Sequence, residues 1–163
     1  MYVVKLLFLL SFIFMNIIIT GASRGIGRAI ATAFNKTGNR LILCARNKTA
    51  LEETAMELKQ KNAAEVIVFS ADLSQKNETL AFAGFCIGFG TAEILVNNAG
   101  VYIGGNIVDE PEGILEKMMD TNLYSAYHLT RALLPSMIKN GRGHIFNICS
   151  IASLQPYQGG GGY

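Results

Sequence analysis

The sequence is poor in the residues that mark several protein classes. It has no tryptophan, only three prolines and only three cysteines among 163 residues. The cysteines Cys44, Cys86 and Cys149 show neither a Cys-x-x-Cys pair nor a Cys/His ligand pattern, so a disulfide or metal role is the minority interpretation. We therefore predict three reduced cysteines in the core, an intracellular, cytoplasmic location and no bound metal.

Blocks of one charge are also missing. The formal net charge is +2, with both signs interspersed and no run of lysine or arginine. This argues against nucleic acid and against an anionic membrane surface as partners. His128 and His144 lie far apart and lack a ligand pattern, so we expect a helix-surface and a strand-edge residue and assign neither a catalytic role.

A long hydrophobic run is absent except at the start of the chain. Residues 1–14 are almost entirely apolar and resemble a signal-peptide core or a membrane anchor. The apolar run up to Ile19 is shorter than the roughly 20 residues needed to span a bilayer, and it merges into the first predicted strand. We interpret residues 1–14 as a non-native or upstream-translated extension of one domain at 15–163, with an N-terminal anchor as the alternative.

Half of the residues are apolar, which suffices for the core of one α/β domain. Continuous apolar runs typical of buried parallel strands occur at residues 16–20, 40–45, 65–70, 93–97 and 144–149. Helical patterns occur at residues 25–36, 48–61, 75–87 and 111–139. The alternation predicts a Rossmann-type, doubly wound parallel sheet of strand order 3-2-1-4-5. Pro135 should kink or interrupt the last helix near residues 131–135.

A glycine-rich turn joins the first predicted strand to the first predicted helix. Gly21 permits a sharp turn, Gly25 permits close approach of a pyrophosphate, and Gly27 permits close packing of the helix on the strand. The N-terminus of the helix offers N–H groups and a partial positive charge to phosphates. We predict a nucleotide-phosphate site here, an ordinary tight turn being the alternative. The predicted contributors are Thr20, Gly21, Ser23, Arg24, Gly25, Ile26 and Gly27.

The spacing Thr-Gly-x-x-x-Gly-x-Gly resembles the short-chain dehydrogenase/reductase family, and residues 97–100 are identical to its Asn-Asn-Ala-Gly motif. The resemblance implies that Asn98, Ala99 and Gly100 shape a cofactor pocket. Asp72, followed by Leu73, looks like the acid that contacts adenine in the family, while a helix N-terminal cap for Ser74 onward is the alternative. An asparagine at a strand end can also serve a purely structural role.

The end of the second predicted strand distinguishes the two nicotinamide cofactors. Ala45 stands where an acid would bond the ribose 2′-hydroxyl of NAD, and Arg46 follows it. Arg24 could supply a second guanidinium, and paired arginines suit a dianionic phosphate. The resemblance therefore implies NADP(H) as the cofactor, although either arginine could instead be a solvated surface charge.

Ser150 ends the fifth predicted strand, and Tyr163 lies thirteen positions later, the spacing of the family's catalytic serine and tyrosine. A phenol with a pKa near 10 can donate a proton to a carbonyl oxygen as hydride arrives. Asn122 matches the helix asparagine that supports a proton-relay water in the family. The resemblance implies an NADP-dependent, homo-oligomeric oxidoreductase that interconverts a small-molecule carbonyl and an alcohol. A non-catalytic dinucleotide-binding module or redox sensor is the alternative.

The sequence departs from the family at its end. The family pattern Tyr-x-x-x-Lys would place a lysine four residues after Tyr163, the last residue of the sequence. We therefore expect a fragment that lacks the last two strands of the sheet and is inactive by itself. Within the family, the sequence looks most like bacterial 3-oxoacyl-carrier-protein reductases and sepiapterin-type reductases. Substrate identity is not implied.

Overall fold

The computed structural model of the chain describes residues 15–61, 64–155, 158–161 and 163. The predicted extension at residues 1–14 lies outside the described residues. The strands are β1 (Met15–Thr20), β2 (Asn39–Ala45), β3 (Glu65–Ser70), β4 (Ile94–Asn97) and β5 (His144–Asn147). The helices are α1 (Gly25–Phe34), α2 (Lys48–Lys61), α3 (Lys76–Ile87), α4 (Ile114–Met119) and α5 (Ser125–Lys139), with a π-helical segment at Asp120–Tyr124 and a 3₁₀ turn at Ile151–Ser153.

The five strands form one parallel sheet in the order β3-β2-β1-β4-β5, which confirms the predicted fold class. β1 pairs with β2 from Met15 opposite Asn39 to Thr20 opposite Cys44, and with β4 on its other side. Because all strands are parallel, their carboxyl ends lie at one edge of the sheet. The strand order reverses between β1 and β4, and this is where a ligand crevice is expected.

Helices cover both faces of the central strands. On one face, the buried residues of the strands pack with those of α1 and α2; these include Ile17, Ile19, Leu41, Leu43, Leu51 and Leu58. On the other face, they pack with those of α3 and α5; these include Ile18, Ile42, Leu95, Phe82, Leu129 and Leu133. Burial on both faces is the reason why these strands read as continuous apolar runs.

Several element ends differ from the predictions. α1 ends at Phe34, two residues early, because Asn35 leaves the helical conformation and its side-chain amide donates to the Leu58 carbonyl at 2.7 Å. The last long helix begins after Gly113, whose φ of +87° is not helical. β5 ends at Asn147 rather than at residue 149, since its pairing with β4 stops where β4 itself stops, at Asn97.

Pro135 was predicted to kink or interrupt the last helix, and the interruption is wrong. α5 continues through Pro135, and Pro135 and Arg131 lie on its exposed side, where water can replace the missing bond to the Arg131 carbonyl. The irregular geometry occurs instead at the π-helical segment Asp120–Tyr124, between α4 and α5. No helix in the described part of the chain is long and apolar enough to cross a membrane.

Two of the three cysteines lie in the core as predicted. Burial raises the pKa of the Cys44 thiol to about 12, and it also raises the pKa of the Cys86 thiol well above its ordinary value. The prediction of a core position for Cys149 is wrong: this residue follows β5 at the outer edge of the sheet and is exposed. Within the described residues, no group of three or more His, Cys, Asp or Glu side chains could hold a metal ion.

Candidate functional site

A cleft of about 510 Å³ lies at the carboxyl ends of the strands, around the glycine-rich turn. Most of the residues predicted to bind a cofactor line it: Gly21, Ser23, Arg24, Gly25, Ile26, Arg46, Asp72, Leu73, Asn98, Ala99 and Gly100. The other two, Thr20 and Gly27, are buried and do not line the cleft. The structure thus brings together residues from four separate segments of the sequence.

Backbone conformation or packing disfavours a side chain at each of the three glycines of the turn. Gly21 has a φ of +64°, and a Cβ atom at Gly27 would lie 2.4 Å from the Gly21 carbonyl oxygen and 2.5 Å from Nδ2 of Asn98. Gly25, with a φ of +54°, faces open space instead. The backbone at Gly25 is therefore accessible to a ligand that approaches the N-terminus of α1.

Hydrogen bonds fasten the turn to the end of β4. The Thr20 hydroxyl accepts from the backbone N–H groups of Asn98 and Ala99, both at 2.9 Å, and donates to the Val96 carbonyl. The Asn98 side-chain amide donates to the carbonyls of Thr20 and Gly21 at 2.9 and 3.3 Å. These contacts hold the two walls of the cleft together. The role that Thr20 and Asn98 have here is therefore to maintain the shape of the cleft.

Three charged residues line the described part of this cleft: Arg24, Arg46 and Asp72. Both arginines are exposed, and Arg24 has an extended backbone directly before α1. One carboxylate oxygen of Asp72 accepts from the backbone N–H and the hydroxyl of Ser74, at 3.1 and 2.8 Å. This is a turn-forming role for Asp72, and it leaves the other oxygen available at the cleft. The cleft therefore carries a net positive charge.

The π-helical segment places Asn122 against the loop that follows β4. Its Oδ1 atom accepts from the Val101 N–H at 2.7 Å, and its Nδ2 atom donates to the Val101 carbonyl at 2.9 Å. Both polar groups of the side chain are thereby used. Each of these groups keeps further hydrogen-bonding capacity, since an amide has two N–H donors and two acceptor lone pairs.

Ser150 and Tyr163, predicted to be catalytic, do not line the cleft. The Ser150 hydroxyl accepts from the Ala152 N–H at 3.2 Å and begins the 3₁₀ turn. The Tyr163 ring packs edge-on against that of Tyr102, with 5.0 Å between ring centroids, and the Tyr102 hydroxyl donates to the Gly159 carbonyl. The catalytic assignment of Asn122, Ser150 and Tyr163 stays a prediction.

A second, more apolar groove of about 620 Å³ adjoins this region, between α5 and the end of β5. It is lined by Leu123, Ala126, Tyr127, Leu134, Ile138 and Ile148, among others. Ala99 lines both the groove and the cleft, and Asn122 also lines the groove. The groove therefore reaches the wall of the cleft formed by the segment after β4.

Sequence reasoning missed Asn47, Val101 and Thr121, which also line the cleft. Asn47 had a signal: an asparagine directly before a helix is a typical cap, and its Oδ1 atom accepts from the Ala50 N–H at 3.0 Å. Val101 had no such signal in the sequence, because its contacts with Asn122 are made by its backbone N–H and carbonyl groups. Thr121 lies within the π-helical segment, where the regular helical pattern gives no indication of which residue faces a cleft.

The geometry agrees with comparisons to known proteins. The family model described as short chain dehydrogenase matches residues 15–163. Dehydrogenase/reductase SDR family member 7B of Bos taurus is 38% identical over 141 residues, which cover 83% of this chain and 43% of that protein. Epidermal retinol dehydrogenase 2 of Mus musculus is 37% identical, with coverage of 85% and 45%.

Among solved structures, a metagenomic short-chain oxidoreductase in complex with NADP has a TM-score of 0.86 and 36% identity. The match covers 94% of this chain and 70% of that one. The two curated relatives named above are longer, and the chain spans less than half of their length. A match from β1 to Tyr163, together with the glycine turn and the Asn-Asn-Ala-Gly segment in one cleft, shows that the chain belongs to the short-chain dehydrogenase family.

Proposed function

We propose that the chain is the NADP-binding part of an oxidoreductase that interconverts a carbonyl and an alcohol by hydride transfer. The observation that carries the proposal is one cleft that combines an open glycine turn with Arg24 and Arg46. The buried Ala45 occupies the end of β2, where an acid would favour NAD. The related metagenomic oxidoreductase is in complex with NADP, which supports the same cofactor here.

Each part of the cleft suits one part of this cofactor. The N-terminus of α1, exposed at Gly25, would hold the pyrophosphate through backbone N–H groups and the helix dipole. Arg24 and Arg46 would bind the 2′-phosphate, since guanidinium groups form charge-assisted bonds to phosphate oxygens. Asp72 and Leu73 would lie beside the adenine, and residues 98–100 would form the opposite wall.

The bound cofactor would supply the hydride, and the protein would supply the proton and the orientation. In this proposal the Tyr163 phenol gives its proton to the substrate oxygen, while the Ser150 hydroxyl hydrogen-bonds to that oxygen. The backbone of Asn122 would support the water that relays the proton. A π-helical segment displaces backbone carbonyls from their usual partners and often occurs at functional sites, which suits this role.

The proposal extends to the rest of the protein. Its substrate is a small carbonyl or alcohol, its location is the cytoplasm, and the complete enzyme is a homo-oligomer. We also propose that the 163-residue chain binds cofactor without reducing carbonyls. In support, the Tyr163 side chain packs on Tyr102, outside the residues that line the cleft.

Replacing Arg46 by Asp tests the cofactor assignment. The carboxylate would repel the 2′-phosphate, so we expect NADPH to bind at least about tenfold more weakly, near 1.4 kcal/mol, with NADH retained. Titration of the chain with each dinucleotide, followed by calorimetry or by cofactor fluorescence, measures this difference. Lys36→Asp is the matched control, because Lys36 is exposed beyond the opposite end of α1 and the change in charge is the same. Unchanged NADPH affinity in Arg46→Asp would refute the assignment.

A further inference from the structure

Helix α2 makes a partly buried hydrogen bond to the glycine turn that lies outside the proposed set of cofactor contacts. The Thr54 side chain is almost fully buried, and its hydroxyl lies 3.2 Å from the Ser23 carbonyl oxygen. The same hydroxyl lies 3.0 Å from the Ala50 carbonyl oxygen, one helical turn earlier, so the two carbonyl oxygens share its single proton. Thr54 therefore joins two elements that are 31 residues apart in sequence.

This bond constrains the placement of the Arg24 backbone. The Ser23 carbonyl and the Arg24 N–H belong to one peptide unit, which is planar and trans, since no cis peptide occurs in the described residues. Holding the carbonyl against α2 therefore orients the whole plane and positions the Cα atom of Arg24. The extended backbone of Arg24 then leads into α1, where its carbonyl accepts from the Arg28 N–H.

The same helix also positions the other arginine. Arg46 stands two residues before α2, and the Asn47 side chain caps the helix at the Ala50 N–H. The backbone carbonyl of Asn47 accepts from the Leu51 N–H. α2 is thus connected to Arg46 at its start and to Ser23–Arg24 through Thr54, in its second turn.

We propose that Thr54 is a positioning residue for the 2′-phosphate: it holds Arg24 at a fixed distance from Arg46 across the cleft. This inference rests on the proposed function. Most of the glycine turn is held without Thr54, because Gly21, Gly27 and Asn98 are in contact with each other and with β1. Loss of the Thr54 hydroxyl should therefore weaken binding of the 2′-phosphate more than binding of the rest of the dinucleotide.

The test compares Thr54→Val with Thr54→Ser and Thr32→Val, by titration with NADPH and with NADH. Valine removes the hydroxyl at nearly constant volume, and one hydrogen bond lost near a charged group should raise the Kd of NADPH about fivefold. The Kd of NADH should change less than about twofold, and Thr54→Ser should restore the NADPH value. Thr54→Ala, which adds no methyl against Ser23, should repeat the result.

Thr32→Val is the matched control, because the Thr32 hydroxyl donates to the Arg28 carbonyl within the same helix, α1. It should leave both affinities unchanged. Equal weakening of NADPH and NADH by Thr54→Val, or no weakening, would overturn the positioning role while leaving the proposed function intact. A wild-type chain without preference for NADPH would instead refute the proposed cofactor, and the inference with it.

Discussion

The sheet is more deeply buried around the central strand β1 than at the edge strand β5. The region around β1 is called the closed side below, and the region at β5 the open side. Around β1, side chains such as Ile18 have about 1% of their surface exposed, whereas on β5 Phe146 is 48% exposed. β1 lies between two strands and is covered by helices on both faces, while β5 pairs only with β4 among the described strands. Burial on these two strands therefore follows the strands and helices packed around them, since apolar residues occur on both strands.

The same difference separates the two parts of the proposed site. The cofactor cleft lies on the closed side, where Thr20 and Asn98 fasten the glycine turn to β4. The predicted catalytic residues Ser150 and Tyr163 follow β5 on the open side, where Tyr163 is itself 45% exposed. Nucleotide binding is thus supported by rigid contacts within the described chain, and the catalytic assignment has no comparable support.

The largest expected effect is a contrast between the two sides. Ile18→Ala should lower the free energy of unfolding by about 3 to 4 kcal/mol, because it removes a buried side chain and leaves a cavity. Phe146→Ala should cost about 1 kcal/mol or less, since half of that side chain is already in water. Urea denaturation of both variants measures the contrast. Equal losses would show that β5 is as well packed as β1.

A smaller effect is expected from Gly27→Ala in the closed turn. The new methyl group would collide with the Gly21 carbonyl and the Asn98 amide, which are both held in place, at a cost of about 2 to 3 kcal/mol. NADPH binding should be lost as the turn shifts. Gly84→Ala in α3 is the matched control, because nothing lies within 4 Å of its added Cβ and alanine favours a helix. A Gly27→Ala chain that binds NADPH normally would contradict the packing argument.

The smallest effect concerns the thiols buried on the closed side. Burial raises the pKa of the Cys44 thiol from 9.0 to about 12. Between these values the thiol keeps its proton in the folded chain and loses it in the unfolded chain. Stability is therefore complete below about pH 9 and falls as the pH rises toward 12. Between pH 8 and 10 we expect Cys44 to account for a loss of about 1.4 kcal/mol.

Urea denaturation at both pH values, with Cys44→Ala beside the wild type, isolates this contribution. The variant should lose less stability on going to pH 10, whatever its stability at pH 8. An identical pH dependence in the two chains would show that Cys44 is not the group responsible.

Elements whose signal is local were predictable to within a residue or two. β2 and β3 are apolar runs bounded by polar residues or glycine, and the Thr20–Gly27 turn has its glycines where backbone geometry requires them. Elements that depend on distant partners were not predictable. The end of α1 depends on a bond from Asn35 to Leu58, and the π-helical segment places Asn122 on Val101, 21 residues earlier.

The sequence by itself determined the fold class, the family and the residues around the glycine turn, because these depend on local spacing, apolar periodicity and the backbone freedom of glycine. Only the tertiary structure decided that Arg24 and Arg46 line one cleft, that Thr54 holds the turn and that Cys149 is exposed. Each of these depends on which segments the fold brings together, and a hydrogen bond or a burial between distant residues leaves no periodic trace in the chain.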